Sequence, residues 1–237
     1  MNIALITAGG TGSRMHQEIP KQFIHVENRP ILIYTLEAFQ AHPNIDAIIV
    51  ATLDGWTEIL WAYAKQFNIT KLKWVVKGGE TGQLSIYNML QKLHEENIND
   101  DDIVMIHDGN RATVSSEIIS NNLATAKKYG NAITYIPCHE VIMISEDKMS
   151  SVECFDRRKI LRTQTPHSFH FKDIWEAHQK AQKLGLHDTK ASCELMQMLG
   201  QRLFFSDGSE KNFKITTLED LDLFKAILHT KHENWLK

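Results

Sequence analysis

Apolar positions along the chain follow two alternating patterns. Short runs rich in β-branched residues, Ile3 to Ile6, Ile45 to Thr52, Leu72 to Val76 and Asp102 to His107, read as buried strands. Between them, residues 30–40, 57–67 and 83–93 place apolar side chains at three-to-four spacing, the signature of helices with one buried face. This alternation predicts an α/β fold: a mostly parallel, twisted sheet covered by helices on both faces. In such sheets ligands bind beyond the carboxyl ends of the strands. The segments that follow the strands, at residues 8–15, Gly78-Gly79-Glu80 and His107-Asp108-Gly109, are therefore expected to converge on one crevice.

After Gly130 the pattern changes. Ala132 to Ile144 and Lys148 to Phe155 read as two strands joined by the polar turn Ser145-Glu146-Asp147. A two-stranded ribbon is unstable alone in water. We therefore expect a projecting β-arm, approximately residues 136–157, that packs on a second copy of the chain to make a homodimer. Helical periodicity returns at Phe171 to Lys183 and Thr189 to Leu199, a strand is expected at Arg202 to Ser206, and a last helix near Leu218. Thr217 followed by Glu219 and Asp220 marks the start of that helix. With no repeat, linker or low-complexity tract, residues 1–237 are expected to form one Rossmann-like domain with an arm.

Composition narrows the function more than the fold. The 237 residues are 43% hydrophobic and 23% charged, enough for a packed core. A net charge of −3 gives no basic surface for nucleic acid. The chain opens with no charged-then-apolar leader, and no run approaches a membrane span. Cys138, Cys154 and Cys193 are widely spaced without a C-x-x-C pair, so they are expected to be buried small side chains in a reducing compartment. The expected location is cytoplasmic, with no membrane partner.

The chemistry begins at Ala8-Gly9-Gly10-Thr11-Gly12-Ser13-Arg14-Met15, closed by Pro20-Lys21-Gln22-Phe23. Three glycines within four positions let backbone N–H groups approach an anion. Arg14 and Lys21 add two cations at fixed offsets, which suits several phosphates in a row and points to a nucleoside triphosphate. A dinucleotide fingerprint would need glycine where Met15 stands and a helix opening at the loop, which Pro20 opposes. No Gly-Lys-Ser/Thr follows for a Walker A loop. A glycine turn with a purely structural role remains the plain alternative. Near the other end, Lys214 lies in Asn212-Phe213-Lys214-Ile215-Thr216-Thr217, just before the last helix, where it can point into the crevice or into solvent.

Taken together, these segments resemble the cytidylyltransferase family that makes CDP-activated polyol phosphates, whose members act on methylerythritol phosphate or ribitol 5-phosphate. The resemblance is carried by the glycine loop with Pro20-Lys21-Gln22-Phe23, Gly78-Gly79-Glu80 with Ser85, and His107-Asp108-x-x-Arg111. Arg157 with Gln164-Thr165-Pro166, and the 212–217 segment, complete it in family order over nearly the whole chain. It implies a single nucleotidyltransferase domain that moves CMP from CTP to a small polyol phosphate and releases pyrophosphate. Arg14, Lys21 and Lys214 are the implied catalytic residues, the first two on the triphosphate and Lys214 bridging the α-phosphate and the incoming phosphate. Ala8, Gly9, Gly10, Thr11, Gly12, Gly79, Glu80, Ser85 and Gly109 are the implied nucleotide contacts. Asp108, Arg111, Arg157 and Thr165 are the implied acceptor contacts, with Arg157 in its own or the partner's site. Asp108 is also the implied ligand of Mg²⁺. The residue types agree with that chemistry. A phosphate monoester is largely dianionic at neutral pH, its second pKa being about 6, so it is already a nucleophile. The site must align two anions and stabilise the leaving group, which calls for cations rather than a general base.

Departures from the family pattern fall mostly on the acceptor side. Gly82 stands where the family has Arg, and Glu140-Val141 where it has Asp-Thr. Asn110 and Ala112 alter the loop after Asp108, and Asp188-Thr189 reverses the family's Thr-Asp. We therefore favour ribitol or glycerol phosphate as acceptor over methylerythritol phosphate. A nucleotide-binding protein without catalysis, and a nicotinamide-dependent oxidoreductase, are the alternatives of other classes. His167-x-x-His170 and His229-x-x-His232 are expected to be surface histidines, Trp56 and Trp61 packing or dimer contacts, and Asp100-Asp101-Asp102 a solvated turn.

Overall fold

The computed structural model describes residues 1–10 and 19–232. Eleven strands occur among the described residues: β1 (Asn2–Ala8), β2 (His25–Val26), β3 (Arg29–Pro30), β4 (Ala47–Thr52), β5 (Leu72–Lys77), β6 (Ile103–Asp108), β7 (Asn131–Pro137), β8 (Ile142–Ile144), β9 (Glu153–Phe155), β10 (Leu161–His170) and β11 (Phe205–Asp207). The helices are α1 (Ile31–Ala41), α2 (Thr57–Gln66), α3 (Gly82–Glu95), α4 (Ser116–Tyr129), α5 (Phe171–Lys183), α6 (Ser192–Met198) and α7 (Leu218–His232). Seven strands form one sheet in the order β11-β7-β10-β6-β1-β4-β5. The pairs β6–β1, β1–β4, β4–β5 and β11–β7 are parallel, while β10 runs antiparallel to both β6 and β7.

Strand periodicity explains why both faces of the sheet are covered. Ala4, Ile6, Ile48, Val50, Ile103 and Met105 point into one apolar layer with α1, α2 and α4. Their neighbours Ile3, Leu5, Ile49, Val104 and Ile106 point into the opposite layer with α3, α5 and α6. Successive strand side chains alternate between faces, so strands apolar at every position require cover on both. A third cluster seats α7 through Leu221 and Phe224 against Val26, Ile31 and Ile215.

Three expected strands differ from the sequence reading, and β2, β3 and β10 were not anticipated. The run 132–144 breaks after Pro137, so β7 stays in the main sheet and β8 leaves it to pair with β9. The arm reversal is longer than a tight turn. Asp147 accepts from the Met149 and Ser150 amides at 2.9 and 2.8 Å and organises it. Helix α6 is shorter than the expected 189–199, and β11 begins at Phe205 rather than Arg202. β10, unmarked in the apolar pattern, sits between β6 and β7.

Other expectations also change. Cys138 is buried, but Cys154 is exposed on β9 and Cys193 is partly buried; all three are free thiols. Asp102 is buried and accepts from the Met1 amino group and the Asn99 amide, so it closes the edge of β6 rather than lying in solvent. His167 is buried rather than on the surface. Trp56 packs as expected, stacked on Phe23 with ring centroids 4.3 Å apart. No helix among the described residues is long and apolar enough to cross a membrane.

Candidate active site

A cavity of about 620 Å³ opens beyond the carboxyl ends of β1 and β6. Ala8, Gly9, Gly10 and Lys21 line it from the glycine-loop side, and Gly79, Glu80 and Ser85 from the start of α3. Asp108, Arg111, Thr165 and Lys214 line the remaining wall. Thr11, Gly12 and Arg14 lie outside the described residues. Gly109 and Arg157 are not part of the lining.

On the nucleotide side, local bonds hold the loops. Gln22, nearly fully buried, donates its amide to the Ala8 carbonyl and, at 3.0 Å, to the Gly10 carbonyl. It thereby ties the end of β1 to the 3₁₀ turn Lys21–Phe23 that carries Lys21. The Ser85 hydroxyl accepts from the Gly79 amide and donates to the Thr81 carbonyl, both at 3.0 Å. A Cβ at Gly79 would lie 2.4 Å from the Leu84 Cβ, so only glycine permits this turn against α3. Thr81 caps α3, its hydroxyl accepting from the Leu84 amide at 3.1 Å. Gly109 has a packing role: a Cβ there would lie 2.9 Å from both Leu32 Cδ1 and the Thr7 carbonyl oxygen.

The opposite wall is assembled from residues far apart in sequence. Asp108 Oδ1 accepts from Lys214 Nζ at 2.9 Å, and its Oδ2 from Arg111 Nε at 3.0 Å. Burial alone would raise the Asp108 pKa, but the charges of Lys214 and Arg111 and the lysine hydrogen bond together hold it below the usual carboxylate range. The Asp108 amide donates to Thr165 Oγ1 at 3.0 Å, and Thr165 Oγ1 lies 3.1 Å from His107 Nδ1. His107 Nε2 is 3.3 Å from the Arg111 carbonyl. One assignment satisfies all three contacts: Thr165 donates to Nδ1 and Nε2–H donates to the carbonyl. Burial, its largest influence, pushes His107 down to about 3, so the ring is neutral.

The 212–217 motif is stitched to the same wall. Asn110 Nδ2 donates to the Ile215 carbonyl at 2.5 Å, and the Ile215 amide returns to Asn110 at 2.9 Å. Arg111 Nη1 donates to the Asn212 carbonyl at 2.7 Å, and Asn212 Nδ2 to the Thr165 carbonyl at 2.8 Å. The motif then closes as a capping box for α7. Asp220 accepts from the Thr216 and Thr217 amides at 2.7 and 2.9 Å, and its amide donates to Thr217 Oγ1 at 3.3 Å. Lys214 is thus held at the cavity by bonds on both sides of it in sequence.

Arg157 lies at the base of the arm, exposed, donating to the His139 carbonyl at 2.8 Å. Residues given no site role in the sequence reading also line the cavity, among them Gln22, Asn110, Gln164, His167, His178 and Ser192. Asn110, Gln22 and Gln164 belong to the motifs themselves and were legible as such. His178 and Ser192 belong to no motif. Among the described residues, no group of three or more His, Cys, Asp or Glu converges as a metal cage. The cavity wall carries two carboxylates among the described residues, Glu80 and Asp108. That set fits Mg²⁺ held mainly by substrate phosphates and water through one or two carboxylates.

The sequence profile of the 2-C-methyl-D-erythritol 4-phosphate cytidylyltransferase (IspD) family matches residues 2–230. A ribitol-5-phosphate cytidylyltransferase of Lacticaseibacillus paracasei is 42% identical over 233 residues, covering 98% of this chain and 99% of that one. A 2-C-methyl-D-erythritol 4-phosphate cytidylyltransferase of Clostridium botulinum is 36% identical over 229 residues, covering 96% and 97%. The crystal structure of the 4-diphosphocytidyl-2C-methyl-D-erythritol synthase from Anaerococcus prevotii superposes with a TM-score of 0.81 at 25% identity, covering 96% of both chains.

Proposed function

The chain belongs to the IspD cytidylyltransferase family, and from that premise we propose that it transfers CMP from CTP to ribitol 5-phosphate, releasing pyrophosphate and CDP-ribitol. The observation that carries the reading is a single cavity with the glycine-loop ends and Lys21 on one wall and Lys214, Asp108 and Arg111 on the other. Such a cavity presents cations to two phosphate groups that must be brought together against their repulsion. The ribitol-5-phosphate enzymes among the relatives share more identity with this chain than the methylerythritol phosphate enzymes do, which favours ribitol 5-phosphate as acceptor.

In this reading Arg14, Lys21 and the amides of residues 8–12 take the triphosphate. Gly79, Glu80 and Ser85 face the cytosine edge. The acceptor's phosphate oxygen attacks the α-phosphorus, and the bond to the β-phosphate bridging oxygen breaks. Lys214 lies between the two phosphates and offsets charge as it shifts to the pyrophosphate. Asp108 holds Lys214 in position through their ion pair, while Arg111 and Thr165 hold Asp108. Mg²⁺, reached by Asp108, would lower the repulsion between the phosphates. A CTP-consuming reaction of this kind supports a cytoplasmic location.

We also propose a homodimer through the arm. Val141, Met143, Met149, Val152 and Phe155 expose apolar side chains on or beside β8 and β9, a surface that a second copy would cover. Arg157, at the arm's base, then serves the partner's acceptor site. Mixing Lys214→Ala chains with Arg157→Ala chains tests this, since shared sites would restore part of the activity. The acceptor is tested by pyrophosphate release from CTP with a panel of polyol phosphates. Ribitol 5-phosphate should turn over fastest, and turnover with methylerythritol phosphate alone would overturn the assignment.

A further inference from the structure

Besides Gln22 Oε1 on the nucleotide side, three side chains on the cavity wall carry polar atoms without a hydrogen-bond partner among the described residues: Nε2 of His167, both ring nitrogens of His178, and Oγ of Ser192. They are 2%, 1% and 4% exposed. They come from three elements, β10, α5 and α6, that meet only in the folded chain.

The ring of His178 is also held in place. It stacks on Tyr87 with centroids 6.5 Å apart, Tyr87 stacks on Trp175 at 5.7 Å, and His94 stacks on Trp175 at 4.9 Å. Burial pushes His178 down to about 4, so the ring is neutral and offers one donor and one acceptor. Leaving such groups unpaired is costly, and a leucine would fill the same space without that cost. No step of cytidyl transfer described above uses them. A phosphate is a poor match, because neutral rings bring no charge to meet it. A chain of hydroxyl groups matches well, since each hydroxyl both donates and accepts. His167 lies two positions beyond Thr165 on β10 and senses the Asp108 charge, which puts it on the acceptor side of the cavity.

We propose that His167, His178 and Ser192 form the wall that recognises the hydroxyls of the acceptor's polyol chain, with His178 the main determinant of specificity. This rests on the polyol phosphate reading above. It assigns the inner end of the cavity to the polyol and leaves the phosphates to Lys21, Arg111 and Lys214.

The test compares wild type with His178→Leu, His178→Asn and Ser192→Ala. Acceptor KM and kcat are measured with ribitol 5-phosphate, CTP affinity by calorimetry, and Tm by thermal melting. His178→Leu should raise the acceptor KM by about tenfold, the scale of one lost hydrogen bond in a closed site. CTP affinity should stay within about twofold, and Tm should hold or rise as an unpaired group is removed. His178→Asn, which keeps a donor and an acceptor, should recover part of the loss, and Ser192→Ala should show a smaller one. An unchanged acceptor KM in folded His178→Leu and Ser192→Ala proteins would overturn the inference, as would an equal loss of CTP affinity. If wild type prefers another polyol phosphate, the acceptor assignment fails and the variants are compared on that substrate. Wild type inert with every polyol phosphate would overturn both.

Discussion

The parallel and antiparallel halves of the sheet meet at β6 and build opposite walls of one cavity by different means. On the parallel side, beyond β1 and β5, most loop closures come from near neighbours in sequence, such as Gln22 on Ala8 and Ser85 on Gly79, while Thr81 and Gln83 reach across to His187 and Leu186. On the antiparallel side, Thr165, Asn212 and Lys214 reach Asp108 and each other across long stretches of chain. The first wall is a binding surface formed largely by local geometry. The second exists only when tertiary structure is complete, and it carries Lys214, the residue we propose lies between the reacting phosphates.

If that division of labour is right, Lys214→Ala should lower kcat by about two to four powers of ten, the scale of losing a preorganised electrostatic contact. CTP affinity should change far less, because the nucleotide wall remains. Lys21→Ala should weaken CTP binding together with turnover. Calorimetric CTP titration and single-turnover rates on both variants separate the two walls. Equal effects on binding from both lysines would erase the distinction.

Acid should strip stability through the buried histidines. His107 is held near 3 and His167 and His178 near 4, all chiefly by burial, against 6.5 for an exposed histidine. The unfolded chain therefore binds more protons than the folded one between about pH 6.5 and 4. Stability contributed by the neutral rings is full above that window and falls as pH drops through it, by up to about 1.4 kcal/mol per pH unit for each histidine. Asp108 keeps its charge throughout and adds no slope there. Tm measured from pH 8 to 4 should be level at first and then decline, and a flat profile would contradict the neutral assignments.

In the proposed reading, the parallel wall carries the base preference. A site that pairs with the exocyclic amine of cytosine leaves groups unpaired against UTP, at a cost of about 1–3 kcal/mol. CTP should therefore exceed UTP in kcat/KM by about one to two powers of ten. Comparable use of both would mean that this wall does not read the base edge.

The smallest effect on turnover is expected from the tie between β10 and the 212–217 segment. Asn212→Ala removes bonds to the Thr165 carbonyl and to Gln164 Oε1 from a fully buried position. It should lower stability by about 1–3 kcal/mol, read by denaturant unfolding, and reduce kcat more than CTP affinity. A variant as stable and active as wild type would show that Lys214 is placed without this tie.

The two halves also differed in how far they could be read before the structure was known. β1, β4 and β6 are apolar at nearly every position because helices cover both faces, and the pattern shows them plainly. β10 carries Thr163, Gln164, Thr165, His167 and Ser168, and gives no apolar signal. Its polarity is used inside. Ser168 donates to Asn122 Oδ1 at 2.6 Å, and Asn122 Nδ2 donates to Thr134, Ser206 and the Pro166 carbonyl. A buried polar network of this kind looks like a loop to any reading based on hydrophobic period. The motif residues Lys21, Asp108, Arg111, Thr165 and Lys214 were visible and do share the cavity. His178 and Ser192 were not, since an isolated histidine in an amphipathic helix carries no mark of its depth.

The Asp108 contacts have a further consequence for what the empty site attracts. Two cations, Lys214 and Arg111, share one carboxylate, so this wall presents a net charge of one rather than two. Free inorganic anions, abundant around any nucleotide-consuming enzyme, thus meet a partly self-neutralised surface. A ligand gains full use of Lys214 only by competing with Asp108, and one that brings a polyol or a nucleoside along with its phosphate has additional contacts with which to do so. The ion pair thereby acts as a threshold, discounting molecules that offer charge alone.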